Sequence, residues 1–292
     1  MSTSHPPKAL LTDVFGTVVD WRSTVTKHLS ISASEALNSP TTSIPSTVRT
    51  AASEISWPAV AQLWRESYYQ FTRSYDPSAK DKSNFKTVDQ HHVEALNKIL
   101  GDHGLDGLWK DEEIEKIALI WHFLDPWPDS SPGLGKLNQK FKTATLSNGN
   151  TSLLTDLAKH GNLPYTDIIS AEDFGAYKPH KSVYLGAAKK LGVEPSECAL
   201  IAAHLGDLDA ARGCGYQTIY IERSQEEAWT KEKIAKAKEE GWVDIWLDLG
   251  EGEVGFLEIA KRLGIDLVRG TAYIDEKVLG CIICGRTERW MG

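Results

Sequence analysis

Between Lys8 and Phe15 the chain is almost wholly apolar: Ala9, Leu10, Leu11, Val14 and Phe15 surround only Thr12 and Asp13. Short apolar runs recur in the second half: KTATLS at 142–147, DIISA at 167–171, CALIAA at 198–203, QTIYIE at 217–222 and DIWLD at 244–248. Each has the length and aliphatic content of a strand buried on both faces. Helical patterns lie between them, in NTSLLTDLAKHG, HKSVYLGAAKKLG, LGDLDAARGCG and EVGFLEIAKRLG. Several close on Gly, as helix C-termini do. Strand alternating with helix predicts an α/β fold, a parallel sheet with helices on both faces, which the strand at 8–14 joins.

Residues 20–127 break this rhythm and predict helices with almost no strands. In PAVAQLWRESYYQFTRSY, the residues Val60, Leu63, Trp64, Tyr68, Phe71 and Tyr75 fall near one helical face. VDQHHVEALNKILGDHG and DEEIEKIALIWHFL continue the pattern, a Ser/Thr/Pro-rich loop is expected at about 38–58, and DPWPDSSPG at 125–133 marks a second break. The expected organisation is a core of 1–19 and 128–292 carrying an inserted helical cap at 20–127. A cap over the carboxyl edge of a sheet serves as a water-excluding lid.

Composition narrows the function. The 292 residues suit one large domain or two modest ones, and 41% apolar with 25% charged residues is ordinary for a soluble globular protein. A net charge of −8 leaves no basic footprint for nucleic acid. An anionic substrate would have to be caught by a local Arg or Lys, against the overall field. No apolar run approaches membrane-spanning length, and MSTSHPPK lacks the apolar segment of a signal peptide. Four cysteines make no disulfide framework and fit a reducing, cytoplasmic setting. Cys281 and Cys284 form one C-x-x-C with no second pair, so KVLGCIICG is read as a half-buried strand.

Asp13 is the anomaly. An unpaired carboxylate in a buried strand costs several kcal/mol. It could cap a following helix or mark a turn. Three other groups stand at the same predicted edge: Ser147-Asn148-Gly149 after KTATL, Lys178 in FGAYKPHKSVY, and His204 with Asp207 after CALIAA. In a parallel sheet these loops converge whatever their distance in sequence. Each alone is a turn, a solvated lysine or a helix cap. Together, with a helical insert after the first, they form a specific pattern.

That pattern resembles the haloacid dehalogenase superfamily over nearly the whole chain, less well beyond about residue 265. The motifs are Asp13-Val14-Phe15-Gly16-Thr17, Leu146-Ser147-Asn148-Gly149, Tyr177-Lys178-Pro179 and Ala202 to Asp207. The resemblance implies a Rossmann-like core, with Asp13 as nucleophile, Ser147 and Lys178 organising charge and substrate, and Asp207 completing the site. Phosphate-ester hydrolases of the superfamily carry a second Asp two residues after the nucleophile, where this chain has Phe15. A phenyl ring cannot donate a proton to a leaving alcohol, and halide needs none. DVFGTVVDWRS looks like the opening of 2-haloacid dehalogenases, QLWRESYYQ like the cap helix whose Arg meets the halide or substrate, here Arg65, and YKPHKSVY places Tyr184 six residues after Lys178. The resemblance therefore implies displacement of halide from a small anionic 2-halocarboxylic acid, with no metal or other cofactor and a homodimer by analogy. Thr17, Ser147, Asn148 and the backbone near Phe15 and Gly16 would hold the substrate carboxylate or an oxyanion. Lys178 would keep Asp13 ionised.

The fourth motif departs from the best-known dehalogenases. Their Ser, Asn and Trp are Ala202, His204 and Gly206 here. The imidazole could orient water or act as a base, and loss of the Trp and Ser predicts a larger or less polar pocket. Two other readings stay open. One is a Mg²⁺-dependent phosphatase or phosphonate hydrolase with Asp13 and Asp207 on the metal. The other is a binding protein that keeps the fold without catalysis.

Overall fold

A computed structural model describes residues 6–40, 43–77, 85–250, 252 and 255–267. Cys281, Cys284 and the expected strand around them lie outside the described residues. Five parallel strands, β1 (Ala9–Thr12), β2 (Lys142–Thr145), β3 (Cys198–Ala202), β4 (Gln217–Ile221) and β5 (Ile245–Leu247), form one sheet in the order β2-β1-β3-β4-β5. Leu10 and Leu11 point to opposite faces of β1, and both are fully buried. The sheet is thus covered on both sides, each leucine contributing roughly 1.5–3 kcal/mol by leaving water. Thr12 lies opposite Thr145 of β2 and Ile201 of β3. All three strands therefore end at one level, and the ladder runs on by Asp13 N–H to Ile201 O at 3.0 Å. In this strand order the chain reverses direction across the sheet between β1 and β3, the crevice where α/β proteins bind ligands.

Among the described residues, six α-helices separate β1 from β2: α1 (Trp21–Asn38), α2 (Ser46–Glu54), α3 (Trp57–Ser74), α4 (Val88–Asp102), α5 (Asp111–Ala118) and α6 (Ser130–Leu137). Asp20 caps α1 by accepting from Ser23 N–H at 3.0 Å, and its buried face is Trp21, Val25, Leu29 and Ala33. The segment expected as a Ser/Thr/Pro-rich loop contains α2. Val48 and Ala52, one turn apart, bury against the neighbouring helices, and that packing outweighs the weak local propensity of Ser and Thr. The break at 125–133 likewise ends inside α6, with Val19 bridging Pro126 before it.

The remaining helices are α7 (Thr151–His160), α8 (Lys181–Leu191), α9 (Leu205–Gly213), α10 (Lys231–Glu240) and α11 (Phe256–Arg262). DIISA, expected as a strand, makes only isolated bridges beside β2, at Asp167 and Ser170. Thr166 and Thr145 take up hydrogen bonds with side chains there, and the chain turns at once into a short 3-10 helix at Ala171–Phe174. Among the described residues, no helix is long and apolar enough to cross a membrane.

Candidate active site

The ends of β1 and β3 supply one wall of a cavity of about 440 Å³, and α3 supplies another. Asp13 leaves β1 into it with three cationic or hydroxyl partners. Lys178 Nζ lies 2.9 Å from Oδ1; Thr17 Oγ1 donates to Oδ2 at 2.8 Å; His204 Nδ1 is 3.1 Å from the same Oδ2. Thr17 Oγ1 itself accepts from Ala203 N–H at 2.9 Å, so its proton is directed at Asp13. Burial alone would raise the Asp13 pKa; Lys178 and His204 outweigh it and hold the carboxyl well below the usual carboxylate range.

Lys178 is a shared cation. Its ammonium also lies 2.6 Å from Asp207 Oδ2, and Tyr184 donates to Asp207 Oδ1 at 2.6 Å. Burial opposes the charge of Lys178, but the two carboxylates push its pKa above the ordinary lysine value. Tyr184 is raised well above 10.0 by burial and by the Asp207 charge, so it stays a donor. Asp207 sits in the first turn of α9, and Asn148 positions the lysine loop: its Oδ1 accepts from Lys178 N–H at 2.7 Å.

Arg65 lies on the buried stripe of α3 with Ala61, Trp64, Tyr68 and Thr72, not at its edge. Arg65 is 3% exposed, and its guanidinium lies against the rings of Phe15, Tyr68 and Tyr69. Nη2 donates to Phe15 O at 3.3 Å and to Tyr69 OH at 2.9 Å. Nε and Nη1 have no hydrogen-bond partner among the described residues, although Arg65 lines the cavity. A buried guanidinium with two unpaired N–H groups is the kind of group whose hydrogen bonding an anion would complete.

Not every expected site residue reaches the cavity. Phe15 turns its ring into the core, edge-on to Tyr68 and Trp121, and its carbonyl accepts from Arg65 Nη2. Gly16 N–H is taken by Val19 O at 3.0 Å, so that amide is closed to a substrate. Ser147 is buried behind the loop, accepting from Gly149 N–H at 3.3 Å. At Gly206, a Cβ would stand 3.4 Å from the indole nitrogen of Trp229, which lines the cavity there, so an indole from another segment fills the space beside that glycine.

Glu226 and Tyr69 belong to the site and were not singled out from sequence. Glu226 is 8% exposed, with Oε2 3.5 Å from His204 Nε2, and Tyr69 OH is 3.4 Å from the same nitrogen. Burial would lower the His204 pKa; Tyr69, Asp13 and Glu226 raise it well above 6.5. Tyr69 stands four residues after Arg65 on α3, a spacing that sequence shows. Glu226 follows a strand in RSQEEAW, where only its position at the carboxyl edge was informative.

Comparison with known proteins matches this geometry to a family. The model of the haloacid dehalogenase-like hydrolases matches residues 7–215. The chain belongs to this family. Similar to this haloacid dehalogenase-like hydrolase is (S)-2-haloacid dehalogenase 1 of Pseudomonas sp. strain CBS-3, 29% identical over 223 residues, which are 75% of this chain and 86% of that one. Among solved structures, the defluorinating L-2-haloacid dehalogenase Rha0230 is 33% identical with a TM-score of 0.74, over 90% of this chain and 97% of that one. The L-2-haloacid dehalogenase PA0810 is 30% identical with a TM-score of 0.69, over 88% and 99%.

Proposed function

We propose that this hydrolase converts a small 2-halocarboxylic acid to the 2-hydroxy acid through a covalent ester on Asp13. The observation that carries the reading is the pairing of Phe15 with Arg65. The position two residues after Asp13 holds a buried phenyl ring and no proton donor, while beside it lies a buried guanidinium whose Nε and Nη1 have no hydrogen-bond partner among the described residues. This suits a leaving group that departs as an anion without protonation. The named dehalogenase relatives support the same substrate class.

In this mechanism a carboxylate oxygen of Asp13 attacks the carbon bearing halogen from behind, the carbon–halogen bond breaks, and the halide departs towards Arg65. Lys178 keeps Asp13 ionised and hence nucleophilic. Water then attacks the Asp13 carbonyl carbon, giving a proton to Asp207, which Tyr184 and Lys178 orient. Collapse of the tetrahedral intermediate expels the hydroxy-acid oxygen. That oxygen takes the Asp207 proton, and Asp13 releases the second water proton to solvent. For the Mg²⁺ reading, Asp13 and Asp207 would be the available carboxylates. Among the described residues no group of three His, Cys, Asp or Glu side chains is arranged to hold an ion, and the Phe15 carbonyl accepts from Arg65 Nη2. The chemistry proposed here is carried by Lys178.

A single turnover of 2-chloropropionate in H₂¹⁸O, with enzyme in excess and a chelator present, tests the reading. Label is expected in Asp13, located by mass spectrometry of the peptide containing it, and not in the lactate. Label in the lactate alone would mean direct attack by water, and no turnover until Mg²⁺ is restored would move the enzyme to the phosphatase side.

A further inference from the structure

The covalent route above leaves Glu226 without a task, yet Glu226 is built into the site with unusual care. Trp21 Nε1 donates to both of its oxygens, at 2.9 and 3.1 Å. Gly16, at φ +85°, has no side chain to keep it away: a Cβ there would lie 1.9 Å from Glu226 Oε2. Glu226 faces one ring nitrogen of His204 and Asp13 faces the other, 3.5 and 3.1 Å away. Asp13 Oδ2 thus receives two donors, Thr17 and His204, whereas Oδ1 receives Lys178.

We propose that Glu226 is a positioning residue that holds His204 as an imidazolium, so that His204 and Thr17 form the oxyanion site for hydrolysis of the Asp13 ester. The inference rests on that covalent route. Oδ2 becomes the ester carbonyl oxygen. When water adds to the carbonyl carbon, the π electrons move onto Oδ2, where the His204 Nδ1–H and Thr17 hydroxyl receive the charge. Forming the ester removes the charge of Asp13 from beside His204. Glu226 is then the carboxylate that keeps the ring protonated through the second step. His204 in this role is an electrophile and not the base that sequence alone allowed. The other groups around the ring are Tyr69 and Arg65 from α3, with Lys178 and Asp207 beyond Asp13. The raised His204 pKa agrees with the pairing.

Glu226→Gln keeps the shape and removes the charge. Rapid-quench measurement with 2-chloropropionate should show a chloride burst and a kcat/KM close to wild type, because alkylation precedes the affected step. The kcat should fall about 10²-fold, the typical loss for one oxyanion donor, with ester accumulating on the enzyme. The alkaline limit of kcat should move to lower pH, since His204 loses an anionic partner and deprotonates sooner. An unchanged kcat, or kcat and kcat/KM falling together, would overturn the proposal. Should the variant not fold, ring ¹⁵N NMR of the Asp13→Asn protein, which keeps Glu226 and lacks the other carboxylate, decides, with His204→Asn assigning the signal. Imidazolium shifts persisting at pH 8 support the pairing, and a neutral ring at pH 7 overturns it. A wild type that releases no halide would remove the dehalogenase reading instead, while the NMR measurement would still judge the His204–Glu226 pair.

Discussion

The two walls of the cavity are finished differently. On the sheet wall, Asp13, Lys178, Asp207 and His204 pair with one another at 2.6–3.1 Å, Thr17 shares Asp13 Oδ2 with His204, and Tyr184 occupies the second Asp207 oxygen. On the α3 wall, Arg65 keeps two N–H groups unpaired among the described residues while its plane lies on aromatic rings. Buried polar groups are nearly always satisfied, so an exception calls for a function. The difference separates two tasks. On the function proposed above, the sheet wall acts as a preorganised reagent whose charges are already paired, and the helical wall as a receptor whose pairing an anion would complete.

The largest effect expected from breaking this division is at the reagent. Asp13→Asn should lower steady-state halide release by on the order of 10⁴-fold or more, because the amide oxygen is a far weaker nucleophile. Halide assay at saturating 2-chloropropionate checks it, and retention of even a tenth of the activity would remove Asp13 from the reaction.

Arg65 comes next. Arg65→Ala should cost on the order of 10²–10³-fold in kcat/KM, the range for losing a charged contact to developing negative charge. Circular dichroism should stay unchanged. Arg65→Lys should recover only part, since an ammonium offers neither the fork nor a plane to lie on Tyr69. Equal activity in all three proteins would make the α3 wall a structural surface, and the contrast between the walls would vanish.

Much of the sheet wall was legible in the sequence, for a physical reason. A parallel sheet places all its strand ends at one edge, so Asp13, Lys178, His204 and Asp207 could be grouped once β1 and β3 were recognised. Arg65 was legible through its resemblance, although simple helical periodicity put it beside the apolar stripe and not on it. Glu226 and Trp229 were not legible: Glu226 fills the space left by the missing Cβ of Gly16, and Trp229 reaches the cavity beside Gly206 from a segment distant in sequence. A sequence shows a glycine without showing what fills its space. The helix α2 was hidden because Ser and Thr signal loops locally, whereas the packing of Val48 and Ala52 is a tertiary effect.

Trp229 sharpens the comparison at the cavity mouth, where neither charge system is touched. Trp229→Ala should remove the bulk over Gly206 and favour longer side chains. The ratio of kcat/KM for 2-bromohexanoate over 2-chloropropionate should rise about 10-fold, the scale of one or two methylenes in an apolar pocket. An unchanged ratio would mean that the mouth is shaped elsewhere.

The smallest effect concerns the distance between the walls, and it reads out as stability. His122 bridges α4 to α7: Nδ1 lies 2.8 Å from Asp156, and Nε2 lies 3.2 Å from Asp89, which also accepts from Asn150 at 2.7 Å. Burial would lower the His122 pKa, but the two carboxylates raise it above 6.5. A group raised on folding contributes fully below its unfolded value and loses that contribution as pH climbs through the folded one. His122→Gln should therefore destabilise by about 1 kcal/mol at pH 6, a drop of roughly 2–4 °C in midpoint for a chain of this size. The gap between variant and wild type should close on the way to pH 9, with kcat at 25 °C changed less than about 2-fold because His122 touches no group of the cavity. Thermal melts at both pH values check this. A gap that stays constant would assign His122 a packing role, and a gap that widens would mean the imidazole is neutral in the folded protein and its bridge between α4 and α7 carries no charge.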